Sequence, residues 1–231
     1  MLVYFFAVLF FATNAGLFFS WVDRKLTARL QWRVGPPLYQ PWADFLKLLH
    51  KEQIIPVGAY GAAFVLAPFI SFASVLLVAL ILPVGGIPPP FGFVGDLIVV
   101  LYLLAIPGIA AMIGGSASAN PYGSVGASRE MVLLLSYELP LIAALFTAVV
   151  KTGSLQLAEI LNYQLQNGAL ALSASGFVAL CASLLAIQAK LSFAPFDIPD
   201  AKTEIVAGPY TEYSGCLLYT SPSPRDLSTA R

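Results

Sequence analysis

Apolar positions along the chain gather into long unbroken runs, and polar ones into short connections between them. Runs at about 1–22, 57–84, 97–115, 131–150 and 169–187 stand out. About 20 apolar residues are needed to cross the ~30 Å hydrocarbon core as a helix. The pattern therefore predicts an all-α polytopic integral membrane protein with about five transmembrane helices. The first run begins at Met1 with no basic segment before it and no A-x-A-type cleavage site after it, so a retained span is expected rather than a signal peptide.

One connection has a period of its own. Arg33-Val34-Gly35-Pro36-Pro37 is kept out of a helix by its prolines, and Pro41 suits a first helical turn. Trp42, Phe45, Leu46 and Leu49 then recur at i, i+3, i+4 and i+7, with Asp44, Lys47, His50 and Lys51 opposite. That spacing predicts an amphipathic helix lying in the membrane interface. The segment 83–90 is expected to be a turn-rich linker, and 152–168 to hold a short interfacial helix.

Composition sharpens the class. The chain is 58% hydrophobic and 10% charged, against about 25% charged in a soluble domain. A net charge of zero lends nothing to nucleic-acid binding. Two cysteines and one histidine cannot build a disulfide framework, a C-x-x-C site, an iron–sulfur cluster, a haem pair or a nickel centre within this chain. Neither a G-x-G-x-x-G after a strand nor a G-x-x-x-x-G-K-[ST] occurs, so nucleotide binding has no support.

Lysines and arginines set an expected orientation. Arg24, Lys25, Arg29, Arg33, Lys47, Lys51, Arg129, Lys190 and Lys202 fall on one side and Lys151 on the other. Nine against one predicts an outside N-terminus, with cytoplasmic loops around 23–56, 116–130 and 188–215.

The candidate chemistry lies in carboxylates. Glu138 sits inside the fourth run, and Pro140 denies the carbonyl of Ser136 its helical donor. Glu130 precedes it, and positions 130, 134 and 138 follow an i, i+4, i+8 row, so the two acids share roughly one face. Ionisable groups at this depth cost at least about 2.5–3.5 kcal/mol. They are expected to form a proton-relay or charge-sensing pair. The plainer alternatives are a helix-start role for Glu130 and a neutral acid bonded to a neighbouring helix for Glu138. After the fifth run, Asp197, Asp200, Glu204 and Glu212 oppose Lys202 in a proline- and aromatic-bearing segment. Its prolines are expected to hold its first part extended, with Asp200 capping a turn that begins at Ala201. The plain alternative is a solvated acidic loop.

Three segments together resemble the membrane "heel" subunit of respiratory complex I, the family called subunit 1 or H of NADH:quinone oxidoreductase, and of the related energy-converting hydrogenases. They are residues 33–49, then Gly126-Ala127-Ser128-Arg129-Glu130 with Ser136-Tyr137-Glu138, then Pro195-Phe196-Asp197 through Glu204 to Thr211-Glu212-Tyr213-Ser214-Gly215. Gly35-Pro36-Pro37 and Arg129-Glu130 look more like the hydrogenase-type, ferredoxin-linked branch.

The resemblance implies a subunit that is not catalytic alone and binds no metal or cofactor by itself. Its loops would seat a hydrophilic arm whose partner subunits carry iron–sulfur clusters, and would line a quinone or quinone-like cavity. Its carboxylates would start a path for protons or sodium into antiporter-like membrane partners. Glu130, Glu138, Asp197, Asp200, Glu204 and Glu212 match the coupling positions. Arg33, Asp44, Lys47, Arg129 and Tyr213 match the cavity and arm-docking positions. The implied location is a prokaryotic cytoplasmic (inner) membrane. A free-standing secondary ion transporter and a purely structural anchor are the competing classes. Residues 1–215 are expected to form a single membrane domain. Residues 216–231 are polar and proline-bearing, resemble translated sequencing-adapter sequence, and are expected to be a non-native tail on a fragment.

Overall fold

The structure, a computed structural model, describes residues 2–82, 92–193, 195–215 and 217. The linker expected at 83–90 and residues 218–231 lie outside these. Helix α1 runs over Leu2–Leu30, α2 over Gln40–Leu49, α3 over Gly61–Ile81 and α4 over Asp96–Ala117. Helix α5 follows at Pro121–Thr152, α6 at Leu157–Asn167, α7 at Ala174–Lys190 and the single turn α8 at Lys202–Ile205. Stretches of α1 (Phe6–Leu30), α3, α4 and α5 are long and apolar enough to cross a membrane, and α7 is a shorter apolar helix. The chain is thus a multi-pass helical membrane protein.

Several boundaries depart from the apolar runs, each for a physical reason. Helix α1 continues past Val22 through Arg24, Lys25 and Arg29, all good helix formers. It stops where Trp32 takes a φ of 58°, ahead of the proline pair. Helix α5 begins ten residues before the expected 131, because Asn120 accepts a bond from the Tyr122 amide and Pro121 occupies the first turn. Its opening turns are small and polar, and they pack rather than face lipid: Gly123, Gly126 and Ala127 are buried. Residues 121–130 are therefore helix rather than loop, and Glu130 lies well beyond the helix start. At its far end α5 closes on Gly153 with a φ of 71°.

Helix α7 is displaced from the expected 169–187. A 3₁₀ turn over Leu170–Leu172 precedes it, and its 17 residues end on Lys190. At 1.5 Å per residue it is about 25 Å long. Lys190 is consequently the last helical residue of α7 rather than part of a loop.

Helix α3 packs on α4, α4 on α5 and α5 on α7, while α1 touches α3 and α2. Leu101, Leu133, Tyr137, Leu141, Ala186 and Ala189 form the core shared by α4, α5 and α7. The outer faces stay apolar and exposed, as a lipid solvent demands; Phe10 is 72% exposed and Leu139 is 72% exposed.

Candidate functional site

The site is built where the segment after α7 folds back over the ends of α4 and α5. This segment is not extended. It forms a 3₁₀ turn at Ile198–Asp200, then α8, then a second 3₁₀ turn at Gly208–Tyr210. The position before α8 is Ala201, which carries no side-chain cap, and Asp200 is the last residue of the first 3₁₀ turn.

Glycines make room for the fold-back. A side chain at Gly126 would meet Pro209 Cδ at 2.5 Å and Gly208 Cα at 2.6 Å, and one at Gly115 would meet Pro209 Cα at 2.9 Å. Pro209 sits in the cleft these glycines leave between α4 and α5. Four polar ties then fix the segment. Arg129 Nη1 donates to Glu204 Oε2 at 2.6 Å. Asn120 Nδ2 donates to Glu212 Oε1 at 2.5 Å while its Oδ1 caps α5. Tyr213 lies flat on Phe64, centroids 4.3 Å apart, and its hydroxyl donates to the Phe64 carbonyl at 3.0 Å. The Ile54 amide donates to Ser214 Oγ at 3.1 Å, joining this segment to the first loop.

The ties place Asp200, 6% exposed, against α5, where it is a charged neighbour of Glu130, itself 7% exposed. From there a row of polar groups runs along α5. Tyr137 is buried and lies within electrostatic reach of both Glu130 and Glu138. Gly108 on α4 keeps that spot open, since a side-chain carbon there would lie 3.3 Å from both Glu130 Oε1 and the Tyr137 hydroxyl. Glu138 Oε2 is buried and has no hydrogen-bond partner among the described residues. Lys190 completes the row: Glu138 is its charged neighbour, and its Nζ sits 5.5 Å from the Tyr137 ring centroid.

The expected site residues divide into separate groups. Glu130, Glu138 and Asp200 belong to the row along α5, and Arg129, Glu204, Glu212 and Tyr213 hold the fold-back. Asp197 is half-buried at the start of the first 3₁₀ turn. Arg33, Asp44 and Lys47 stand apart, at α2 and the loop before it. Arg33 and Lys47 are exposed. Asp44 instead binds Arg24 Nη1 at 2.9 Å, and Gln40 Nε2 also donates to it at 2.9 Å.

The family model described as NADH dehydrogenase matches residues 2–220. The chain belongs to the NADH dehydrogenase family. It is 40% identical over 220 residues to the NADH-quinone oxidoreductase subunit designated H of Thermomicrobium roseum, covering 86% of this chain and 64% of that protein. The corresponding protein of Bacillus cytotoxicus is 39% identical, over 91% of this chain and 63% of its own length. The chain thus spans less than two thirds of these curated relatives. Among solved structures, a chain of the membrane-bound sulfane sulfur reductase, an archaeal respiratory membrane complex, superposes with a TM-score of 0.87. It is 29% identical and covers 98% of this chain and 74% of its own.

The family match reaches past Gly215, and Leu217 is fully buried against Phe64 and Tyr213. Three further participants were not singled out in the sequence as site residues. Lys190 stands in the sequence as one more basic residue after an apolar run, and only the α7 boundary reveals it as internal. Asn120 had a signal, as a good cap before Pro121. Gly108 had none, because its role is an absence of atoms opposite Glu130.

Proposed function

We propose that this chain is the membrane subunit of a multisubunit respiratory oxidoreductase, which seats a hydrophilic redox arm and couples its electron transfer to translocation of protons or sodium. The row Asp200, Glu130, Tyr137, Glu138 carries this reading. It leads from the fold-back into the α4–α5–α7 core, where ionisable groups are costly unless they work. Carboxyl groups accept and release protons, and the Tyr137 hydroxyl beside Glu130 can both donate and accept. Asp200 and Glu130 repel when both are ionised, so a movement of the fold-back alters the charge felt at the head of the row.

The arm docks on the end that holds Arg33, Asp44, Lys47 and the fold-back turns at Ile198–Asp200 and Gly208–Tyr210. Trp32 and Val34, 98% and 100% exposed, give that end apolar surface beside its charges. That end is cytoplasmic by its excess of lysine and arginine, the first span starts outside, and the membrane is a prokaryotic inner membrane. Iron–sulfur clusters reside in the arm and antiporter-like partners receive the ions. A cavity between α3, α4 and the fold-back is lined by Ala67, Pro68, Ser71, Ala110, Ala111, Tyr210 and Tyr213. A quinone-binding chamber at this end would take a further wall from the arm.

The test is Glu138→Gln in the intact complex, assayed in vesicles. Electron transfer with an uncoupler present should persist while ion uptake collapses. Normal uptake would refute the role, and isolation of this chain as an active lone transporter would refute the whole reading.

A further inference from the structure

Lys190 has the features of a working group rather than a topological marker. The end of α7 carries it into the protein, beside Ala186 and Ala189 of the core. Its Nζ is buried and has no hydrogen-bond partner among the described residues, and the same is true of Glu138 Oε2. An ammonium carries three donors and no acceptor, so three N–H groups need partners or water. Opposite charges placed close but unbonded in a water-poor site are held at a cost that attraction only partly offsets. The Tyr137 ring, 5.5 Å from Nζ, gives the cation some compensation. Two buried, unsatisfied ends, one a proton donor and the other a proton acceptor, are thus charged neighbours of one another.

We infer that Lys190 exchanges a proton with Glu138, directly or through one water, as a step in the ion coupling proposed above, on which this inference rests. In the forward step an N–H bond of the Lys190 ammonium breaks and an O–H bond forms on Glu138 Oε2. The products are a neutral amine and a neutral carboxylic acid, with total charge unchanged. In the reverse step the acid returns the proton, or passes it onward while the amine takes up another. The pair therefore alternates between a charged and a neutral state without any net charge entering the core. A charge arriving at Glu130, which Tyr137 joins to Glu138, biases that alternation.

Arginine and histidine variants separate proton exchange from a fixed counter-charge. Arginine keeps the cation and its contact with the ring but does not release a proton in proteins. Histidine can still take one up and release it. The intact complex is assembled with Lys190→Arg, Lys190→Met, Lys190→His or Glu138→Gln, assembly is scored on native gels, and vesicles are assayed for uncoupled electron transfer and for ion uptake. Lys190→Arg and Lys190→Met should lose ion uptake by about 100-fold or more, the scale of a missing proton-transfer group, with uncoupled electron transfer retained. Lys190→His should keep part of the uptake that Lys190→Met loses. Uptake at the wild-type level in Lys190→Arg, or equal losses in Lys190→His and Lys190→Met, would overturn the proton exchange. Should one variant of a contrast fail to assemble, the other contrast decides. Loss of uptake in Glu138→Gln together with normal uptake in Lys190→Arg would sink this inference alone. Normal uptake in Glu138→Gln would sink the underlying reading as well.

Discussion

The hydroxyl of Tyr213 donates to the carbonyl of Phe64, the same carbonyl that Pro68, four residues on, leaves without a helical donor. A tyrosine from the fold-back thus repairs a gap in the α3 hydrogen-bond ladder, and its ring stacks on Phe64 at 4° between planes. Loss of the hydroxyl strands a buried carbonyl, which costs about 1–3 kcal/mol. Tyr213→Phe should lower the thermal stability of the complex by that order. In a Pro68→Ala background, where the helix supplies its own donor, the same change should cost clearly less. Equal costs in both backgrounds would show that the bond does not serve Pro68.

Burial pushes the Tyr213 hydroxyl up to about 12. A group whose value is raised on folding stabilises the folded form below its unfolded value, here about 10. That contribution is lost as pH rises from about 10 through about 12. Alkaline unfolding should therefore steepen in this window in the wild type, and Tyr213→Phe should flatten it. An identical alkaline profile in the two proteins would contradict the assignment.

Gly126 is one of the glycines against which the fold-back packs. A methyl group there meets backbone atoms of Gly208 and Pro209, which cannot swing aside as a flexible side chain can. Gly126→Ala should cost about 1–3 kcal/mol, the usual scale of overpacking. It should also make the 198–213 segment susceptible to protease while leaving the spans inserted. Unchanged protection would mean that the docking has more slack than the geometry allows.

At α2 the charges are unequal in consequence. Arg24 Nε and Nη2 are buried without partners among the described residues, so Asp44 supplies the ion pair that holds the guanidinium. Asp44→Asn should destabilise the α1–α2 contact by about 1.5–3 kcal/mol, the value of a hydrogen bond to a charged group. Exposed Lys47→Ala should stay within about 0.5 kcal/mol. Comparable losses at both positions would contradict this ranking.

How much of this was legible in the sequence follows from what each signal depends on. Four spans and α2 were visible because lipid and the interface impose apolar length and a 3.6-residue period. The start of α5 was hidden because Gly123 packs against Gly115 and Ser118, and Gly126 against Pro209, instead of lipid, and a hydropathy window reads small residues as loop. Glu130 and Glu138 were expected to share a face, but eight residues turn a helix about 80° past two full turns. Buried Tyr137 accordingly lies within reach of both. Local sequence offers Asp200 as a cap, whereas the ties of the fold-back bring it beside Glu130 about 70 residues away, which no local pattern contains. Lys190 was misplaced by three residues of boundary.

The central claim is that the row along α5 carries ions rather than merely filling the core. Its most direct test is the number of ions taken up per electron transferred, recorded simultaneously in vesicles holding the intact complex with Glu130→Gln. The ratio should fall toward zero while electron flow continues once the gradient is released. A ratio equal to that of the unmodified complex would contradict the claim.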